Sequence, residues 1–421
     1  MNDFNTPIAR ILCVFFFCFL TLEHNAQVIT KEDSLNAGLV VRNSTTVMSG
    51  YGEALVSYDM KLRTGVADLR RNVLFFGHKF NDKVSFFSEM ELEHAKVELG
   101  DDGEGAAGEL SMEQLFVKFN LNKTNYITAG LFIPRIGIIN ENHLPTTYSS
   151  NDRPFVEQLI IPSTWRELGI SLYGTSRRVS GLNYSVALMN GLSSSGFTSG
   201  TGLREGRGGG SRSSASNLAA TGALLFYTGN WRLQTSAYIG GSAGLSKREA
   251  DSLQLSYGAF GTPVALMELN MQRLTPVWSI KALAAAVHVA DAFEINRAYG
   301  SNTAETMVGA YVEIGFNLMK LCNREQEKNF LLYARYEWMD MDLVLAEKNG
   351  VTNGIANDIL NKQYVVAGLL YQPVRGVGVK ADYVYRITGE PNPLLLATPF
   401  PQQSLYFTEN GFFNLGICYS F

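Results

Sequence analysis

From Phe413 to the terminal Phe421 the chain alternates without a break. Phe413, Leu415, Ile417, Tyr419 and Phe421 are apolar, while Asn414, Gly416, Cys418 and Ser420 between them are small or polar. Successive side chains of a strand point to opposite faces, so this segment has one apolar face and one polar face. A strand running unfrayed to a final exposed aromatic is out of place at the end of a water-soluble domain. It suits the last strand of a membrane barrel, which must close on the first, with lipid on one side and a wet interior on the other. Tyr419 and Phe421 then read as the barrel-assembly signal. The competing reading of these nine residues is a C-terminal core strand of a soluble sandwich.

The opposite end points to export. Arg10 is followed by ten apolar residues, 11–20, among them Phe15, Phe16, Phe17 and Phe19. That run is too short to span a bilayer as a helix, which takes about 20 residues. A basic residue, a short apolar core and then Asn25-Ala26-Gln27 read as a signal peptide, 1–26, cut after Ala26, although His24 is unusual at its position. Cys18 as a lipoprotein cysteine is disfavoured by the phenylalanines before it. Residues 27–47 read as a short periplasmic segment, too short for a plug domain, and 48–421 as the barrel. No later segment is long and apolar enough for a membrane helix. Cys322 and Cys418 fall in non-neighbouring elements and form no disulfide framework.

Composition agrees. Forty glycines, nineteen tyrosines and twenty-five phenylalanines accompany only 18% charged residues, and mean hydropathy is near zero, as expected when every second residue faces lipid. One of the 35 basic and two of the 39 acidic residues precede the cut. The mature balance is therefore close to even, and nothing points to nucleic acid. No cofactor or resident metal is expected.

Period-2 segments begin near Gly50, Asp68, Lys83, Leu110, Thr124, Trp165, Gly181, Leu218, Trp231, Pro263, Pro276, Ala304, Asn329, Asn361, Gly376 and Gly411. The less regular ones, at Asp68, Pro263 and Pro276, leave 18 strands as the alternative to 16. Connections alternate between tight turns, such as Asn81-Asp82 and Gly229-Asn230, and long loops, such as 134–164, 192–217 and 241–262. Short periplasmic turns opposite long external loops characterise an all-β, antiparallel transmembrane barrel.

Parity turns charges inward. Glu89, Glu91 and Glu93 alternate with Met90 and Leu92, and three acids facing lipid would cost several kcal/mol. The same argument turns Lys118, Arg232, Glu313, Arg335, Glu337, Lys380, Asp382 and Arg386 inward. A 16-stranded barrel is wide enough for an aqueous channel, and charges lining such a channel set its selectivity. The alternative is that Arg335 and Glu337, or Lys380 and Asp382, pair and only support the wall. The loop 134–164 is bounded by Pro134 and Pro162 and carries the apolar runs 136–139 and 155–161. That content suits a segment folded into the barrel. Arg135, Glu141, Asp152, Arg153, Glu157, Arg166 and Glu167 would then stand at a constriction. A lid over the mouth is the other possibility.

Catalysis finds little footing. A hydrolase needs a nucleophile and base in hydrogen-bond reach, and His78, His94, His143 and His288 show no Ser/His/Asp spacing. His94 shares the lipid-facing parity of Met90. The chain is therefore expected not to be an enzyme; a barrel hydrolase of lipids or peptides, or a ligand-binding or structural barrel, is the alternative. Asp101, Asp102, Glu104 and Glu109 could hold a hard cation, but a solvated loop, or one bridged to lipopolysaccharide through divalent ions, explains them better.

Several motifs together carry a resemblance. They are Gly130-Leu-Phe-Ile-Pro134, Gly137-Ile-Ile-Asn-Glu-Asn-His143, Arg153-Pro154, Ile161-Pro-Ser-Thr-Trp-Arg-Glu167, Leu203-Arg204 with Arg207, residues 296–300, Ala334-Arg-Tyr-Glu337, Val379-Lys-Ala-Asp-Tyr383 and the terminal segment from Asn414. In these the chain resembles the phosphate-selective porin O/P-like family over nearly all of its mature length. The resemblance implies a commonly trimeric, 16-stranded porin of a Gram-negative outer membrane, with an inward-folded third loop, passing small hydrophilic solutes or anions such as phosphate by diffusion. Implied partners are outer-membrane lipid and lipopolysaccharide, the barrel-assembly machinery and further copies of the chain. The family's phosphate selectivity rests on arginine and lysine clusters. Here the interior set is nearly neutral, so the pore role carries over and phosphate specificity does not.

Overall fold

The computed structural model describes residues 46–94, 109–322, 328–395 and 406–421. The signal peptide, residues 27–45, and Asp101, Asp102 and Glu104 lie outside the described residues.

The strands in chain order are β1 (Thr46–Asp59), β2 (Thr64–Lys79), β3 (Val84–Glu93), β4 (Glu109–Asn120), β5 (Asn125–Phe132) and β6 (Glu167–Thr175). Next come β7 (Leu182–Asn190), β8 (Leu218–Thr228), β9 (Trp231–Gly240), β10 (Val264–Leu274), β11 (Trp278–Val289) and β12 (Thr306–Asn317). The last six are β13 (Asn329–Val344), β14 (Glu347–Lys348), β15 (Val351–Thr352), β16 (Asn361–Val374), β17 (Val377–Thr388) and β18 (Glu409–Ser420). Sixteen of them close one barrel in chain order, and β14 and β15 pair only with each other. The 18-strand alternative is therefore overturned. The two extra strands are the two-residue arms of a loop hairpin, far too short to span a bilayer. The first barrel strand begins at Thr46, two residues before the expected boundary at 48.

Closure is the event that the terminal alternation serves. β1 and β18 run antiparallel from Tyr51 opposite Ser420 to Asp59 opposite Phe412. Two further backbone bonds, Gly50 N to Phe421 O at 3.3 Å and Phe421 N to Gly50 O at 2.9 Å, carry the ladder to the last residue. On the outer face the Tyr419 ring lies over Gly52, where a Cβ would sit 2.8 Å from Cε1, and the Phe421 ring lies over Gly50. An aromatic over a glycine on the neighbouring strand covers backbone that has no side chain of its own. On the inner face Cys418 and Asn414 are buried, and the two cysteines among the described residues, Cys322 and Cys418, are free.

The burial pattern inverts that of a soluble protein. Ile170, Val186, Leu188, Leu224, Ile239 and Met267 each expose more than half their surface, whereas Glu89, Glu268, Arg335 and Lys380 are buried. Among the described residues no helix is long and apolar enough to cross a membrane; crossing falls to the strands.

Tight turns follow their side chains. Asn81 Oδ1 accepts from the amides of Lys83 (2.8 Å) and Val84 (3.0 Å), and Asn122 Oδ1 does the same for Thr124 and Asn125. Between β16 and β17, Gly376 has φ +85° and a Cβ there would lie 2.3 Å from Ser420 O. Only glycine makes that turn.

A charge on the outer face should be costly. Leu224→Arg, at the middle of β8, is expected to lower unfolding free energy in lipid vesicles by about 2–4 kcal/mol. Denaturant titration followed by tryptophan fluorescence checks this, with Leu224→Ala as the smaller reference change.

Candidate functional site

The chain from 133 to 166 between β5 and β6 folds into the barrel, as its apolar content predicts. It carries one short helix, α1 (Phe155–Leu159). Ile136, Val156, Ile160, Ile161 and Trp165 are fully buried and pack with Phe197 and Leu203 of the next long loop and with Met307 and Met339 of the wall. Apolar contact alone cannot seat such a loop, because its peptide groups leave water and must be paired.

The inward charges supply those partners. Asp382 accepts from Asn151 N at 2.7 Å, Glu337 from Val156 N at 2.9 Å, and Lys380 Nζ donates to Ser150 O at 2.8 Å. Glu313 accepts from Ser149 Oγ at 3.0 Å. Arg335 donates to Ser150 Oγ (2.5 Å), Glu313 (3.1 Å) and Glu337 (2.8 Å). The Arg335–Glu337 pair, the alternative to their lining an open channel, therefore forms. Lys380 and Asp382 do not pair: the lysine lies 4.0 Å from the centre of the Tyr148 ring, and the aspartate also binds Tyr333 and Asn414. Lys118 covers the Tyr126 ring at 4.1 Å. Arg386 donates to Phe407 O at 3.1 Å and stacks near Tyr406.

Glu157 is the hub of the loop. It accepts from the amides of Ile138 (2.8 Å) and Ile139 (2.6 Å) and from the Tyr311 hydroxyl (2.6 Å). Gly137, at φ +77°, brings that turn close, since a Cβ would lie 2.7 Å from Glu157 Oε2. Burial pushes the Glu157 carboxyl up to about 7, against the pull of those donors. Arg135, Glu141 and Arg232 make a second anchor in which the carboxylate bridges both guanidiniums. Asp152 pairs with Arg70 at 2.9 Å. Glu167 accepts from Trp165 Nε1 (3.3 Å) and Gly208 N (2.9 Å).

Arg153, itself buried, and Arg166, half-buried, stand beside open space. They border a cavity of about 970 Å³ between the seated loop and the β2–β5 wall, shared with Arg70, Arg71, Arg204 and Arg207. Its acids are Glu91, Glu93, Glu109, Asp152 and Glu205. Arg71 is taken by Glu53 (2.9 Å) and Glu91 (3.3 Å), and Arg166 lies 3.8 Å from Glu91. Arg204 and Arg207 instead clamp carbonyls of the seated loop, Ser163 O at 2.6 Å and Thr164 O at 2.7 Å. Among the described residues Arg153, Arg204 and Arg207 have no carboxylate partner within 4 Å.

Two features of this region escape sequence reading. Residues 196–216 are rich in Gly and Ser, a composition that reads as a flexible connection, yet Arg204 and Arg207 pin them to the seated loop. Glu113 shares the odd numbering of outward Leu115, yet it is fully buried. The β3–β4 register passes from Glu89 opposite Gln114 to Met90 opposite Met112. A bulge thus leaves Glu113 unpaired and turns it inward, as bulges re-aim side chains. There it accepts from Tyr51 Oη at 2.8 Å and Thr164 Oγ1 at 3.0 Å. His94, assigned to lipid by parity, sits at the strand end against Asp68 at 2.9 Å.

Glu157→Ala should leave three buried donors unpaired, at about 1–3 kcal/mol each, and loosen the loop; single-channel conductance should rise. The folded chain holds the Glu157 proton more tightly than the unfolded chain does. Seating is therefore strongest below the ordinary carboxylate range and weakens as pH climbs through about 7. Conductance measured across that window should rise with pH, and Glu157→Gln should flatten the dependence.

No protein-family model matches the chain. An uncharacterized protein of Aquifex aeolicus (strain VF5) is 28% identical over 349 residues, covering 80% of this chain and 74% of that protein. Solved structures are similar in fold. The outer membrane channel DcaP of Acinetobacter baumannii aligns with a TM-score of 0.53 at 13% identity, over 89% of this chain and 97% of its own. An anion-selective porin from Comamonas acidovorans gives 0.52 at 11%, over 89% and 99%. OmpF of Salmonella typhi, in complex with daunomycin, gives 0.53 at 10%, over 90% and 99%. The fold is that of the 16-stranded outer-membrane porins.

Proposed function

We propose that the chain is a passive porin of a Gram-negative outer membrane, passing small hydrophilic solutes, with anions preferred. The observation that carries this reading is the charged cavity beside the seated loop. A barrel of this strand number encloses more space than wall side chains fill, and the part the loop leaves open is bordered by six arginines against five acids. Among the described residues no carboxylate lies within 4 Å of Arg153, Arg204 or Arg207, so their charge is left to that space. A cationic wall of low dielectric raises the local concentration of anions. Phosphate belongs to that class, and so do small carboxylates. The seated loop fills part of the barrel interior, so conductance should be small for a barrel of this size. The chain acts as a conduit and not as a catalyst, surrounded by outer-membrane lipid and lipopolysaccharide. Its final Tyr419 and Phe421 would be read by the barrel-assembly machinery, and a trimer is the natural assembly for such a barrel.

Purified protein in planar bilayers should give stepwise conductance, and the reversal potential in a salt gradient should have the sign of anion preference. Arg204→Ala with Arg207→Ala should reduce the anion-to-cation permeability ratio severalfold. Silence from protein shown to be folded would overturn the reading as a pore. A cation-selective reversal potential would overturn the anion preference alone.

A further inference from the structure

The bulge in β4 places a third ligand-capable group where two others already meet. Glu89 of β3, Glu113 at the bulge and His143 of the seated loop are all buried, and their ligand atoms lie within 4.8 Å of one another. His143 Nε2 is 3.4 Å from Glu89 Oε1 and 3.8 Å from Glu113 Oε2. Those separations are long for hydrogen bonds. They are close to the edge of a tetrahedron of ligands around zinc, about 3.3 Å for bonds of about 2.0–2.1 Å.

Each group is aimed by a neighbour. His143 Nδ1 faces Asn140 O at 3.1 Å, so as a donor to that carbonyl it leaves the Nε2 lone pair directed at the two carboxylates. Glu113 is oriented by Tyr51 and Thr164. Glu89 Oε2 accepts from Gln114 Nε2 at 2.5 Å, leaving Oε1 toward the histidine. This outer layer of hydrogen bonds resembles what metal-ligating side chains require.

Charge points the same way. Among the described residues His143 is the only basic group within 4 Å of either carboxylate. Arg71 is committed to Glu53 and Glu91, and Arg153 donates to Thr164 Oγ1 and His143 O. Two buried acids facing one histidine carry one negative charge more than a single imidazolium can balance, whereas a divalent ion balances both. Thr164 and Arg153 touch this cluster and also border the cavity, which places the three groups one side chain away from it.

We propose that Glu89, Glu113 and His143 form a binding site for a zinc-type divalent cation, one that ties the seated loop to the β3–β4 wall. One imidazole and two carboxylates suit a first-row divalent ion, zinc above magnesium or calcium, which favour all-oxygen sites. The fourth position falls to water from the cavity. The site is independent of what the channel passes, because it joins loop to wall and uses none of the cavity's arginines as a ligand.

The test uses the full mature chain, refolded in detergent, stripped with chelator and dialysed against zinc chloride alone. Metal analysis should give one zinc per chain, and Co(II) in its place should give the intense visible absorption of a tetrahedral site. His143→Ala and Glu113→Gln should each weaken binding at least 10-fold, whereas His288→Ala, at a histidine remote from the cluster, should not. Zinc should also slow proteolysis within 133–166 in the parent chain and leave His143→Ala unaffected. Should either variant fail to fold, Glu89→Gln carries the same expectation. Folded parent protein that takes up no more zinc than His143→Ala would overturn the proposal. So would octahedral Co(II) spectra unchanged by any of the three substitutions. Zinc binding by a chain that proves silent in bilayers would leave this site standing and remove only the reading as a pore.

Discussion

A peptide group carried into hydrocarbon has no water to bond with, so it must find a partner in the protein. That constraint organises the molecule twice. Along the wall it is met by closing sixteen strands on themselves, down to the reciprocal bonds between Gly50 and Phe421. Inside the wall it returns for residues 133–166, whose backbone is also taken out of water. There no neighbouring strand is available, and interior side chains do the pairing instead.

This second solution explains the use of so many interior charges. Glu313, Glu337, Arg335, Lys380 and Asp382 would be costly to bury alone. Each is matched by an opposite charge, a backbone group or both, and most of those backbone groups belong to the seated loop. Breaking one partner would strand another, so the loop and the wall hold each other in one arrangement. The arginines of the next long loop extend the same logic. Arg204 and Arg207 satisfy loop carbonyls at one end of their guanidiniums and keep the positive charge exposed to the cavity. Structural support and electrostatic character of the opening thus come from the same residues.

The barrel itself was largely legible. Every strand start read from alternation lies within four residues of the observed one, because lipid outside and polar groups inside impose a strict period of two. The inward placement of Glu89, Glu313, Arg335 and Asp382 follows from that period, and the apolar runs 136–139 and 155–161 announced a loop that seeks burial. What the charges touch was not legible. Reading Lys380 and Asp382 as partners rested on their spacing, but Ser150 O and the Asn151 amide reach them first. Glu113 was missed outright, since one residue inserted into one strand of a pair reverses the parity of everything before it and leaves no mark in composition.

By itself, then, the order of residues determined where each strand starts to within a turn, which face of most strands meets lipid and that the terminal alternation takes part in closure. These are local consequences of a period repeated along the chain and bounded by turns. The choice of 16 strands over 18 came from the folded barrel. Only the tertiary structure decided that the inward charges serve the loop, that Arg153, Arg204 and Arg207 border one cavity, and that Glu89, Glu113 and His143 converge. Those outcomes depend on groups as much as 231 positions apart in the chain competing for the same few partners. Such competition is settled by distance in the folded barrel, a quantity that no pattern along the sequence contains.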